Sequence, residues 1–193
     1  MTAVKERHAG VEYLRQHIPA LEVVWDETGD AMQTFVTACE AVSDDDGVVR
    51  LEDDICLTCG FVEKVEAVIG SHESDVVQFF SRSKYDHLTG ARWSTTFSMN
   101  QCFYLPPGVS SQLAAFYTSS WWDAERLIHP TGYDIMMTKM FRGQRRKHWI
   151  SVPSLVEHAT TPSLIKRGRS RWRQSMTFVD PELDGYPYSC PGA

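Results

Sequence analysis

The sequence predicts an α/β fold: one domain whose central sheet is mainly parallel and flanked by helices. Three observations predict it. Amphipathic helical segments and short apolar runs alternate through the first 80 residues. The runs "LEVVW", "VVRL" and "DVVQFF" are close to continuously apolar, as strands covered on both faces are. A chain of 193 residues holds one sizeable core, and no Gly-, Ser- or Pro-rich linker or internal repeat divides it. Residues 1–175 are therefore read as the domain, with a first half at 1–80 and a second at 81–175, followed by a tail at 176–193.

Each element has its own warrant. In "RHAGVEYLRQHI", residues 7–18, Val11, Leu14 and Ile18 share one helical face, and "LEVVW" follows as a strand. Asp30 is placed to cap "DAMQTFVTACEAV", in which Met32, Phe35, Val36 and Cys39 keep the i, i+3, i+4, i+7 period. The turn "SDDDG" leads into the strand "VVRL". Phe61, Val65, Val68 and Ile69 then mark a further amphipathic helix before "DVVQFF". Residues 81–93, "SRSKYDHLTGARW", have no apolar period and read as a long loop. Beyond it come strand candidates at "STTFSM" and "CFYL", a proline-led helix in "PPGVSSQLAAFY", a short helix in "GYDIMMTKMF" and a strand in "HWISV". The tail, "MTFVDPELDGYPYSCPGA", carries too much Pro and Gly for regular structure; it would cover the active site or lie disordered.

Composition narrows the function classes. With 42% apolar and 23% charged residues the chain is neither disordered nor fibrous. No run approaches the roughly 20 apolar residues of a bilayer span, and "MTAVKERHAG" is too polar for a secretory core, so a cytoplasmic protein is expected, in the host cytoplasm if it is phage-encoded. Five scattered cysteines argue against a disulfide framework. Cys56 and Cys59 form a CxxC without a second pair to complete a zinc tetrahedron, and read best as small buried apolar residues.

Chemistry gathers at "VVRLEDDI", where Glu52, Asp53 and Asp54 crowd against the end of a strand. Repulsion and desolvation both oppose three adjacent carboxylates there, and a bound cation offsets both. Ligands of α/β sheets sit beyond the carboxyl ends of strands, and Mg²⁺ or Mn²⁺ takes one or two carboxylates together with substrate phosphate oxygens. A solvated acidic turn is the bland alternative.

The arrangement of "VVRLEDDI", with two helix–strand steps before it and "VVQFF" after it, resembles the nucleotide-sugar half of GT-A glycosyltransferases. It is closest to the "LEDD" form of enzymes similar to glycosyltransferase family 25. "NQCFYLPPGVSSQL", "GYDIMMTKMF" and "VPSLVEHATTPSLI" resemble the acceptor-side strand and helix, a helix with an acidic residue near the acceptor, and the closing segment with its histidine. The resemblance implies a GT-A-like, Rossmann-like domain that moves a sugar from a nucleotide-diphosphate sugar to a hydroxyl with Mn²⁺ or Mg²⁺. It makes Asp54 and His158 metal ligands, with Glu52 and Asp53 on ribose or donor sugar, or on the metal through water. Ser163 and Lys166 would hold the departing diphosphate. Asp26 matches an acid that meets base or ribose. Arg7 matches a basic residue after the first strand, here only "MTAV", which leaves the nucleotide pocket partly open. Asp134 would be the general base of an inverting reaction; its alternative is a helix N-terminal residue, and a retaining enzyme would have no such base.

Residues 135–175 hold ten Lys/Arg against Glu157 alone, in a chain of net charge −6. Arg145, Arg146 and Lys147, with the stretch "KRGRSRWRQS" and the nearby Trp149 and Trp172, suit phosphate contacts and base stacking. A DNA acceptor held through the basic 142–173 segment, such as a hydroxymethylated base, is therefore the leading expectation, ahead of a protein or cell-surface glycan. In "SSWWDAE", Trp121 or Trp122 would line the acceptor cleft. A nucleic-acid-binding module without catalysis is the reading from another class.

Overall fold

The computed structural model describes residues 1–129, 132–159 and 174–190. Strand β1 (Thr2–Ala3) pairs in parallel with β2 (Val24–Trp25), and a 3₁₀ turn at Lys5–Arg7 leads from β1 into α1 (His8–His17). Helix α2 (Ala31–Glu40) starts where expected: Asp30 Oδ1 accepts from the N–H groups of Met32 and Gln33, both at 3.0 Å. β3 (Val48–Leu51), β4 (Ile55–Leu57), α3 (Phe61–Gly70) and β5 (Val76–Gln78) follow.

The second half adds α4 (Asp86–Thr89), β6 (Arg92–Ser94), β7 (Cys102–Leu105), α5 (Val109–Tyr117), α6 (Ser120–Ile128), α7 (Tyr133–Gly143), β8 (His148–Ile150) and β9 (Val156–His158). The fold is mixed α/β. Its five-stranded sheet has the order β3-β7-β5-β8-β6, and a separate pair joins β4 to β9.

The expectation of a mainly parallel sheet is corrected. Within the five-stranded sheet β5 and β8 are the only parallel neighbours; β7 runs antiparallel to both β3 and β5, and β6 antiparallel to β8. A continuous apolar run reports cover on both faces and says nothing of direction. Both faces are indeed covered. Val77 and Tyr104 join Val11, Leu14, Phe61 and Val65 of α1 and α3 in one core. Val76, Phe103 and Leu105 join Phe35 of α2, Leu113 of α5, Trp122 of α6 and Met136 of α7 in the other.

Two further expectations change. "STTFSM" is not a strand past Ser94. Instead the buried Gln78 amide donates to the carbonyls of Phe80 and Met99 and makes a short contact with that of Ser98, tying the segment down by side chain. The tail is neither loose nor remote over its described part. Cys59 N–H donates to Asp180 O at 2.8 Å, Glu182 N–H to Leu57 O at 2.7 Å and the Tyr13 hydroxyl to Glu182 O at 2.8 Å. Residues 180–182 thus lie along the end of β4. Among the described residues no helix is long and apolar enough to cross a membrane.

Candidate metal centre

Four segments converge on the end of β3. The ladder with β7 continues one residue past the strand, where Glu52 N–H donates to Gln101 O at 3.0 Å, so Glu52 leaves the sheet in a fixed position. The antiparallel β4–β9 pair sets Ile55 opposite His158, and Ala159 N–H donates to Asp54 O at 2.8 Å. Beyond β1, Val4 N–H donates to Asp53 Oδ2 at 2.8 Å, and the 3₁₀ turn delivers Arg7. At the start of α7 the Tyr133 hydroxyl donates to Glu52 Oε1 at 2.6 Å.

The three acids have three different surroundings. Asp53 is spent on structure: one oxygen accepts from Val4 and the other meets Arg7 Nη1 at 2.8 Å. Burial pushes its carboxyl up, against the pull of Arg7. Glu52 takes Tyr133 on one oxygen and the Gln101 amide, at 3.3 Å, on the other. Burial first, then the charges of Asp54 and Asp53, push it up to about 8, so near neutral pH it carries a proton unless a cation joins it. Asp54 Oδ2 lies 2.6 Å from Arg7 Nη1 and 3.4 Å from His158 Nε2. Its Oδ1 is buried with no hydrogen-bond partner among the described residues.

His158 is oriented for ligation. Its Nδ1 lies 2.7 Å from the Ala159 carbonyl, which only accepts, so Nδ1 carries the hydrogen and Nε2 faces Asp54. The same Asp54 oxygen also meets Arg7 Nη1, so the guanidinium and the imidazole share it. Ligand atoms of Glu52, Asp54 and His158 all lie within 4.8 Å of one another, and the group could hold a metal ion. Glu52, Asp54 and His158 would hold a divalent cation once their side chains moved inward, and the cation would supply positive charge there. The residues fit the group: an orphaned buried oxygen, a second carboxylate and an oriented imidazole. Two hard oxygens with one nitrogen suit Mn²⁺ better than Ca²⁺.

The other sequence candidates divide into near, far and undescribed. Asp26 follows β2, and Asp26 N–H donates to Ala3 O at 2.7 Å, one residue before the Val4 that holds Asp53. Its Oδ1 closes a local turn, accepting from Thr28 N–H at 3.1 Å and Gly29 N–H at 2.8 Å. Asp134 stands beside Tyr133 in the first turn of α7, where its Oδ1 accepts from Ile135 N–H at 2.9 Å. Trp121 is 82% exposed, whereas Trp122 is fully buried, which corrects its reading as a cleft wall: successive residues of α6 are turned about 100° from one another, enough to carry one into the core and leave the other outside. Ser163, Lys166 and the basic stretch around Trp172 lie outside the described residues.

Arg145, Arg146 and Lys147 are not brought to the acids. The register puts Val49, Tyr104, Val77 and Trp149 on one level of the sheet. Lys147 precedes that level and Glu52 follows it, a separation on the order of 15 Å along the strands. Arg146 and Lys147 instead border an open cavity of about 400 Å³ with Ser74, Asp75 and Trp93.

Sequence reasoning missed Tyr133 and Gln101, the two residues that position Glu52. Tyr133 is adjacent to Asp134 in "GYD", and its ring stacks on Phe35 with centroids 4.4 Å apart; only the tertiary fold turns its hydroxyl to Glu52. The chain matches no protein-family model, no curated protein and no solved structure.

Proposed function

We propose that the protein is a metal-dependent glycosyltransferase that moves a sugar from a nucleotide-diphosphate sugar to an acceptor hydroxyl. One observation carries the reading: Glu52, Asp54 and His158 converge past the end of a buried strand, with Asp54 Oδ1 buried and unpartnered. The "LEDD" resemblance supplies the reaction class. Its GT-A-like architecture and its mainly nucleotide-binding first half belong to this proposal too.

Asp54, His158 and Glu52 would hold Mn²⁺ or Mg²⁺, which when bound supplies positive charge to a diphosphate leaving group. Asp53 keeps Arg7 and the segment after β1 against the centre, so that a guanidinium faces the same space. Tyr133 and Gln101 hold the Glu52 carboxyl in one orientation. Asp26 would meet the base or ribose. Asp134 is the proposed general base, taking the acceptor proton if the reaction inverts the anomeric carbon. A DNA acceptor draws no support from the position of Arg145, Arg146 and Lys147, and the acceptor class proposed is a hydroxyl group.

The test is a panel of nucleotide sugars scored by release of nucleoside diphosphate, with Mn²⁺ or with chelator, in the wild type and in Asp54→Ala. Slow hydrolysis of one donor that needs both metal and Asp54 supports the assignment. No release and no metal-dependent nucleotide binding, in protein shown by circular dichroism to be folded, overturns it.

A second reading has its own observation. Arg7 already compensates Asp53 and Asp54 with contacts of 2.8 and 2.6 Å, as an ion-pair knot in a non-catalytic binding module would. Under that reading Mn²⁺ leaves the melting temperature unchanged, and Asp54→Ala leaves polyanion binding intact.

A further inference from the structure

Strand β3 has a neighbour in the five-stranded sheet on one edge only, where it meets β7. Its other edge opens on a cavity of about 350 Å³, which all four of its residues line. Residues 18–24 close one side, the end of α2 and the turn after it another, and α3 a third. The wall is apolar: Leu21, Val42, Val49, Val62, Val65 and Ile69 all contribute. A volume of this size falls in the small-molecule range.

Three charged side chains share the lining. Glu22 and Glu66 are exposed and belong to the mouth. Arg50 is 6% exposed and belongs to the interior. The guanidinium makes a short contact from Nη2 to the Ala38 carbonyl near the end of α2, while its Nε is buried without a hydrogen-bond partner among the described residues. The groups that favour its charge are Cys39 and Tyr133, with no carboxylate among them, and burial works against it. Arg50 is not part of the acidic centre either, because the charges acting on Glu52 are those of Asp54, Asp53 and Arg7. A buried cation beside an apolar hollow, bonded to the Ala38 carbonyl and the Cys39 thiol but paired with no carboxylate among the described residues, lacks an anion.

We propose that this cavity binds an amphipathic carboxylate of short or medium acyl length, with its head on Arg50 and its tail along Val42, Val49, Val62 and Ile69. The head meets the Arg50 guanidinium in the forked geometry that guanidinium and carboxylate share. The chain lies against the free edge of β3 and extends toward the mouth. Glu22 and Glu66 at the mouth disfavour a carboxylate left at the surface and so select the head-inward pose. The proposal is independent of the metal centre and of the transferase reading.

The experiment is calorimetric titration of the full chain with octanoate and with 1-octanol, repeated in Arg50→Met and Val62→Trp, each checked for folding by circular dichroism. Octanoate saturates one site on the wild type and binds at least tenfold more tightly than the alcohol, the scale of a hydrogen bond to a charged group. Arg50→Met abolishes that preference, and Val62→Trp, at a half-buried position, blocks both ligands. The proposal is overturned if octanoate does not bind the folded wild type, if acid and alcohol bind equally, or if the preference survives in folded Arg50→Met. Because the acid-to-alcohol ratio is read in the wild type, a variant that fails to fold does not shelter the proposal.

Discussion

His158 Nε2 stands 3.4 Å from Asp54 Oδ2, with the opposite ring nitrogen fixed on the Ala159 carbonyl. An imidazole locked in this way offers one nitrogen and one direction, and that direction is the carboxylate. Under the proposed metal reading, removing either partner removes a ligand. Mn²⁺ binding, followed by electron paramagnetic resonance of the free ion, is expected to weaken at least tenfold in Asp54→Asn and in His158→Ala. Undiminished affinity in both would place the ion elsewhere.

Tyr133→Phe keeps the ring stacked on Phe35 and deletes only the hydroxyl that Glu52 accepts from. The expected loss is about 1–2 kcal/mol in urea unfolding, the range for a hydrogen bond to an ionisable partner. The same variant should lower Mn²⁺ affinity, because the carboxyl it frees is no longer aimed. A loss of stability with unchanged metal affinity would remove Glu52 from the ligand set.

The Arg145→Ala, Arg146→Ala, Lys147→Ala triple variant addresses the separation of the basic turn from the acids. Those residues sit at the opposite end of the strands, so Mn²⁺ affinity and any donor hydrolysis are expected to stay within twofold of the wild type. A tenfold change in either would show that the two ends communicate.

Gly10 has no room for a methyl group: a Cβ there would stand 2.3 Å from the Asp53 carbonyl oxygen and 3.0 Å from the Tyr188 hydroxyl. Gly10→Ala must push the backbone that carries the acidic triplet. Overpacking of this kind costs about 1–3 kcal/mol, and a matched fall in Mn²⁺ affinity is expected with it. Wild-type stability in Gly10→Ala would mean that α1 shifts freely against the site.

His148 is expected to contribute to acid sensitivity away from the centre. Both of its ring nitrogens are buried without partners among the described residues, and burial, with Arg92 nearby, pulls its pKa down to about 4. Between pH 4 and 6.5 the unfolded chain binds a proton at His148 that the native one refuses, so the His148 contribution to stability is complete above about pH 6.5 and is lost as pH drops toward 4, opposite in sign to the contribution of the raised Glu52 and Glu157 carboxyls. The loss amounts to about 3 kcal/mol at the acid end. His148→Phe should flatten that limb in melts taken across the interval. A limb unchanged in slope would assign it to other groups.

The parts of the fold that depend on neighbouring residues were legible in the sequence. The Asp30 cap, the periodicity of α2 and α3 and the acids past "VVRL" are all local signals. Strand direction is not local, since β7 enters the sheet between β3 and β5 from a later part of the chain and its apolar residues read the same either way up. Trp121 and Trp122 illustrate the same limit: one is bare and the other fully buried, although they are neighbours in a polar stretch. Arg7 was named on resemblance, but its reach to two carboxylates depends on a strand of two residues and a single 3₁₀ turn, too short to carry periodicity. The partners of Glu52 come from α7 and from the residue before β7, joined to it only by tertiary packing.

The β4–β9 pairing also sets a timetable for synthesis. A nascent chain threading from the ribosome exposes Glu52, Asp53 and Asp54 long before His158 emerges, and β4 waits for a partner made about a hundred residues later. Arg7, which meets two of the acids in the folded protein, is made before them. Such distant closure slows folding, and it makes the cluster of Glu52, Asp54 and His158 one of the last features of the protein to exist.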